Sequence, residues 1–158
     1  MVVEKALVLA SFVEVSMFVV VPLVLLAFAN GLLPFDIDGY RLLGLFPIAL
    51  GAVFAFWVVL YFALVGKGTP APFDPPKQLL IGGLFRYTRN PMYLGAVLVL
   101  LGEAVFFESM AILLYAVFMW VFFHMFVVHY EEPKLKEKFG EAYRKYLETV
   151  PRWLPRVF

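Results

Sequence analysis

Four stretches of the chain are almost wholly apolar, and polar segments, the first two rich in Gly and Pro, separate them. The first runs from Ala6 to Ala29 and is interrupted by Glu14. Its roughly 24 residues make a helix of about 36 Å at 1.5 Å per residue, which spans a hydrocarbon core of about 30 Å with some tilt. Pro22 is placed to kink it. Asn30 to Tyr40 reads as a loop, with Gly31, Pro34 and Gly39 as breakers and Asp36 and Asp38 as charges. Leu42 to Val65 is a second run of spanning length. A loop then covers residues 66–90, first Gly- and Pro-rich, then mixed, with basic Lys77, Arg86 and Arg89. Pro91 suits the first turn of a helix, and Met92 to Phe107 is a shorter third apolar segment carrying Glu103. Glu108-Ser109 breaks the run; Ser109 is a capping residue for the fourth, Met110 to His129.

Past Glu131 the pattern changes. Leu135, Phe139, Ala142, Tyr143, Tyr146 and Val150 recur at helical spacing with Lys, Arg and Glu between them. With Pro133 at its start and Pro151 at its stop, this predicts an amphipathic helix over 133–150, lying on the membrane or the bundle. Trp153 suits an interfacial anchor.

Composition sharpens the class. Of 158 residues, 63% are hydrophobic and 16% charged, against about half and about a quarter in soluble domains. A soluble fold of this length cannot bury so much apolar surface. The expected fold is therefore all-α: a single integral membrane domain of four transmembrane helices with a cytoplasmic loop and a C-terminal amphipathic helix. Ala27-Phe28-Ala29 looks like a signal-peptidase site, but the apolar core is too long and Glu4-Lys5 too weakly basic for a signal peptide, so a retained helix is expected. All of the 13 Lys and Arg residues except Arg41 fall on the side shared by the amino terminus, the 66–90 loop and the tail. The positive-inside rule puts that side, with both termini, in the cytoplasm.

Other classes fall away. A net charge of +1 points to no nucleic acid and no acidic partner. With no cysteine there is no disulfide, thiolate zinc site or cysteine nucleophile. His124 and His129 are five apart, on different helix faces, so no metal site is expected. The halves of the chain show no repeat, unlike most transporters.

Two cytoplasmic segments carry candidate chemistry. Leu84 to Gly95 places cationic and aromatic side chains at a helix start, where free N–H groups favour anions such as a carboxylate. Glu131 and Glu132 put two carboxylates at the end of the fourth helix, able to receive a cation or ribose hydroxyls. The plain alternatives are interfacial anchoring by Arg and Tyr, and helix-dipole stabilisation by the glutamates.

Together these segments resemble the isoprenylcysteine carboxyl methyltransferase and phospholipid methyltransferase superfamily. The likeness rests on RNPMYLG from Arg89 to Gly95, EEPKLKEKFGEAYRKY from Glu131 to Tyr146, and VPRWLPR from Val150 to Arg156. It covers roughly residues 66–158. It implies a membrane enzyme that uses S-adenosylmethionine near the cytoplasmic face, with a lipophilic small molecule or lipid as acceptor. Carried over by position, the cofactor contacts are Lys77, Gln78, Leu79, Leu80, Phe85, Arg89, Asn90, Pro91, Met92, Tyr93, Gly95 and Glu131, with Glu132 in the same acidic pair. The prenylcysteine enzymes have His at the position of Asn90 and Arg at that of Val127; the second departure speaks against a prenylcysteine carboxylate as acceptor.

An amine or hydroxyl acceptor also needs a proton acceptor. Glu14, about 13 Å into the bilayer, and Glu103, about 18 Å in from the same side, are candidates by depth. His124 is the third. Each has a structural alternative: a protonated carboxyl bonded between helices, or a histidine packed near a helix end. Two rival functions stand beside methyl transfer. One is an NADPH-dependent reductase of the sterol reductase type, with Lys77, Arg86 and Arg89 near the phosphates. The other is a non-enzymatic membrane module.

Overall fold

The computed structural model describes residues 15–29, 36–66 and 78–154. Glu14, Lys77 and Arg156 lie outside the described residues, as do most of the 30–40 loop and the Gly- and Pro-rich part of the 66–90 loop. The described residues are helical with no β-strand. A π-type turn, Ser16–Val20, leads into α1 (Val21–Ala29). A 3₁₀ turn, Tyr40–Gly44, leads into α2 (Leu45–Tyr61), which ends in a second π-type turn, Phe62–Gly66. After a 3₁₀ turn at Gly83–Arg86 come α3 (Pro91–Phe106), α4 (Met110–Phe126), a third π-type turn at Val127–Glu131, and α5 (Glu132–Thr149). Tyr40–Gly66 and Met110–Thr149 are long and apolar enough to cross a membrane; Ser16–Ala29 and Pro91–Phe106 are shorter apolar helices.

The fourth helix does not stop at His129. It runs through the π-type turn into α5, with Pro133 in the first turn of α5. Proline cannot donate to the helix ladder, and a widened turn just before it absorbs the missing bond. The same device precedes Pro22, where a π-type turn ends shortly before the proline. In the turn before Pro133 the His129 Nδ1 donates to the Met125 carbonyl at 3.0 Å.

Nor is the tail helix uninterrupted. Gly140 sits at φ 51°, ψ −124°, inside α5. A side chain strongly disfavours that conformation, so α5 bends there into two arms. Tyr143, Tyr146 and Val150 are buried, Leu135 and Phe139 half-buried, and Ala142 exposed.

By its contacts the chain divides into two compact units. One holds residues up to Val53 and Gly95–Trp120; the other holds Phe54–Leu94 and Val121–Phe158. In the first unit, glycines meet glycines. A Cβ on Gly102 would fall on the carbonyl of Gly44, and one on Gly51 on the carbonyl of Gly95. Within each pair of positions the spacing is two helical turns, and the pairing 44 with 102, 51 with 95 makes the two segments antiparallel. Such small-residue seams let backbones approach where no hydrophobic effect drives helices together. At the α3–α4 turn Glu108 takes φ 52°, and Ser109, fully buried, accepts the Ile112 N–H at 3.4 Å as the cap.

The second unit is built on aromatic rings. Trp57 and Tyr61, one turn apart on α2, stack at 4.7 Å. The Gly82-Gly83 backbone passes directly over them: a Cβ at Gly82 would meet the Tyr61 hydroxyl, and one at Gly83 the Trp57 ring. This close passage drops Phe85 into a buried cluster with Val58 and Leu80, packed by Phe62 and Met92.

Candidate active site

The second unit contains a cavity of about 970 Å³ counted out to its open mouth. Three segments build it. The loop before α3 contributes Leu79, Leu80 and Phe85, placed by the glycine passage over Trp57. The start of α3 contributes Arg89 to Tyr93. The π-type turn and α5 contribute Glu131 and Glu132 and, beyond the Gly140 bend, Tyr143 and Tyr146.

The two adjacent glutamates do different things. Glu131 accepts a hydrogen bond from the Tyr93 hydroxyl, and the Tyr93 ring stacks on Phe123 at 4.7 Å. Burial pushes the Glu131 carboxyl above its ordinary range; the Tyr93 bond opposes this and the charge of Glu132 adds to it. Glu132 is 5% exposed and has both oxygens engaged by arginine. Arg152 reaches it with Nε at 2.7 Å and Nη2 at 3.0 Å, and Arg89 with Nη1 at 2.9 Å. The bond to Glu132 holds the Arg152 guanidinium still more firmly protonated.

Around this ion cluster the loop and tail are laced together. The Pro151 carbonyl accepts from the Arg89 N–H at 3.0 Å. The Arg152 carbonyl accepts from Thr88 Oγ1 at 3.1 Å and Asn90 Nδ2 at 3.0 Å. The Tyr146 hydroxyl donates to the Phe85 carbonyl at 2.7 Å. Burial pushes the Tyr143 hydroxyl up to about 12, the charge of Glu132 adding to the effect and Arg89 opposing it. Arg89 Nε is buried and has no hydrogen-bond partner among the described residues.

A family model described as phospholipid methyltransferase matches residues 40–142, which include the α2 aromatic pair, both acidic residues and the start of α5. The chain belongs to the phospholipid methyltransferase family. It is by that family a membrane methyltransferase. No curated protein matches the chain.

For this methyltransferase, the sequence-predicted residues Leu79, Leu80, Phe85, Arg89, Asn90, Pro91, Met92, Tyr93, Glu131 and Glu132 all line the one cavity. Gln78 and Gly95 do not: Gln78 Nε2 donates to the Val65 carbonyl, and Gly95 faces Gly51 in the helix seam. Lys77 and Glu14 lie outside the described residues. Glu103 belongs to the first unit, with Oε2 buried and without a partner among the described residues. His124 is not in the cavity wall; its Nδ1 accepts the Trp153 indole N–H at 3.1 Å. His124 and Trp153 thus anchor one another. Among the described residues no cluster of His, Cys, Asp and Glu forms a metal site.

Sequence reasoning did not name Val58, Phe62, Val127, Tyr130, Lys134, Leu135, Phe139, Tyr143 or Tyr146 as site residues, nor Arg152 beside them. Arg152 carried a signal, since it stands in the VPRWLPR ending that resembles the family. Val58 and Phe62 carried none, being apolar residues in an apolar run.

Proposed function

We propose that the cavity binds S-adenosylmethionine and that the protein transfers its methyl group to a lipophilic or amphiphilic acceptor drawn from the membrane. The observation that carries this is the convergence of the motif residues from Leu79 to Tyr93 with Glu131 on one cavity. The donor set suits the ligand. Glu131 would accept from ribose hydroxyls or the amino group. The unpartnered Arg89 Nε would meet the ligand's carboxylate, a charge-assisted bond. Leu79, Leu80, Phe85 and Phe139 would cover the adenine, leaving the polar groups to set its orientation. When bound, S-adenosylmethionine supplies an activated methyl on a sulfonium. The work left to this chain is to hold donor and acceptor in line and to keep water out.

The reading includes the membrane arrangement: four spanning helices, both termini and the cavity on the cytoplasmic side, and α5 at the interface. The charge asymmetry of the loops supports it, and so do the apolar faces of α2 and α4, where Phe46, Phe56 and Phe118 stand exposed. The family favours methyl transfer over the reductase alternative. The test is transfer of labelled methyl from S-adenosylmethionine to extracted membrane lipids by the detergent-purified protein. Label in a lipid product, formed about tenfold more slowly by a Glu131→Gln variant at limiting S-adenosylmethionine, is the expected result. Purified, folded protein that labels no lipid across phospholipids, isoprenoid acids and quinone-like lipids would overturn the acceptor class.

A further inference from the structure

We infer that Arg152 and Glu132 are positioning residues: they dock the segment Val150–Trp153 as a strap against the Thr88–Asn90 turn, and ligand binding in the cavity depends on that docking. The inference rests on the reading of the cavity as the S-adenosylmethionine site.

Chain geometry makes the contact informative. Glu132 opens α5, and Arg152 lies just past its end, with 18 helical residues between the bounds. A straight helix of that length is about 27 Å long, far beyond the reach of one arginine. The bend at Gly140, φ 51°, brings the two ends of α5 together so that Arg152 Nε lies 2.7 Å from Glu132. The ion pair therefore closes a bent helix on itself.

What it closes onto is the cavity wall. Val150 is extended, at φ −115° and ψ 127°, and buried against Tyr143 and Tyr146. The next two carbonyls, of Pro151 and Arg152, take three donors from Thr88, Arg89 and Asn90. Asn90 and Arg89 both line the cavity. The strap thus sets the amide of Asn90 through the Arg152 carbonyl, while Glu132 aims the Arg89 guanidinium. An undocked strap leaves Asn90 Nδ2 without its carbonyl and removes Arg152 from Glu132, so the wall groups that meet the ligand lose their fixed directions. Preorganisation of this kind is what a second shell of hydrogen bonds supplies to a binding site. Linkage then requires the ligand to stabilise the docked strap in return.

The test is calorimetric titration of S-adenosylhomocysteine into the detergent-purified full chain, with hydrogen exchange at the Arg89 amide. Arg152→Gln should bind about tenfold more weakly with helical content unchanged. Glu132→Gln should weaken binding similarly, and the double variant should be little worse than either single one, since both break one unit. Arg152→Lys should recover part of the loss, because it restores the charge without the two-pronged fork. Exchange at the Arg89 amide should quicken in Arg152→Gln and slow when ligand is added to the unaltered protein. Arg144→Gln, on the exposed face of α5, should match the unaltered protein throughout. A merely structural tie would lower the unfolding temperature and leave the dissociation constant within twofold of the original; that result in Arg152→Gln or, should that variant misfold, in Arg152→Lys overturns the inference while the cofactor reading stands. Failure of the unaltered protein to bind the ligand overturns the cofactor reading, and the coupling falls with it.

Discussion

In the unit containing Gly95–Trp120, Gly44 meets Gly102 and Gly51 meets Gly95, with backbone against backbone. In the unit containing Val121–Phe158, a glutamate lies between two arginines, a tyrosine hydroxyl reaches a backbone carbonyl, and a carboxylate faces a cavity. The same chain uses small residues where helices must simply approach, and charged and aromatic ones where a site must be built. The contrast teaches where tolerance should lie. The glycine seam has no spare space, so substitution there is a packing fault. The polar unit is a network, so a substitution there leaves a specific group without its partner and is read in binding as well as in stability.

The largest effect is expected in the seam. Gly102→Leu would drive a side chain into the Gly44 carbonyl and Ile48, and overpacking of this kind costs about 3 kcal/mol. Thermal unfolding in detergent should show a marked drop; an unchanged midpoint would mean the helices are not closely packed. Next comes Gly140→Ala. Nothing lies within 4 Å of a Cβ there, so the cost is conformational alone, about 2 kcal/mol for a residue held at positive φ. Its sharper signature is that it should weaken S-adenosylhomocysteine binding together with stability, because the bend brings Tyr143, Tyr146 and Arg152 to the site.

Glu131→Gln is expected to weaken that binding by roughly tenfold, about 1.4 kcal/mol, with little change in unfolding temperature. The pH dependence gives the sign. Burial raises the Glu131 pKa, so the carboxylate is lost at a higher pH than an exposed glutamate would lose it. Ligand binding through the carboxylate should weaken as pH falls through that raised pKa, and the dependence should flatten in Glu131→Gln. The apo protein follows the opposite trend. Its folded state holds the proton more tightly than the unfolded chain does, so the Glu131 contribution to stability declines as pH rises through the same window. The smallest effect is Tyr146→Phe, which removes the bond to the Phe85 carbonyl and should cost about 1 kcal/mol, measured by thermal unfolding.

Much of this was legible in the sequence because the signals were periodic or local. Apolar runs marked α2, α3 and the start of α4 to within a few residues, and Ser109 announced its cap. RNPMYLG and EE pointed to Arg89 to Tyr93, Glu131 and Glu132, which line the cavity. The misses have physical causes. Pro133 reads as a helix boundary by its missing donor, and only the π-type turn before it lets the helix continue. The regular stripe over 133–150 reads as one helix, while Gly140 takes a positive φ that breaks it and lets its two ends meet at Glu132 and Arg152. Adjacent glutamates look equivalent in sequence; both line the cavity, but Glu131 meets Tyr93 and Glu132 meets the arginines, a division set by the side chains packed around each. Glu103 and His124 were named for the acceptor side, apart from the cofactor contacts, and the residues lining this cavity do not include them.

The most direct test of the central claim is calorimetric binding of S-adenosylhomocysteine to the detergent-purified protein, with NADPH and Glu131→Gln run in parallel. Micromolar binding of S-adenosylhomocysteine, weakened in the variant and absent for NADPH, is the predicted result. Well-folded protein that binds NADPH and not S-adenosylhomocysteine would contradict the account.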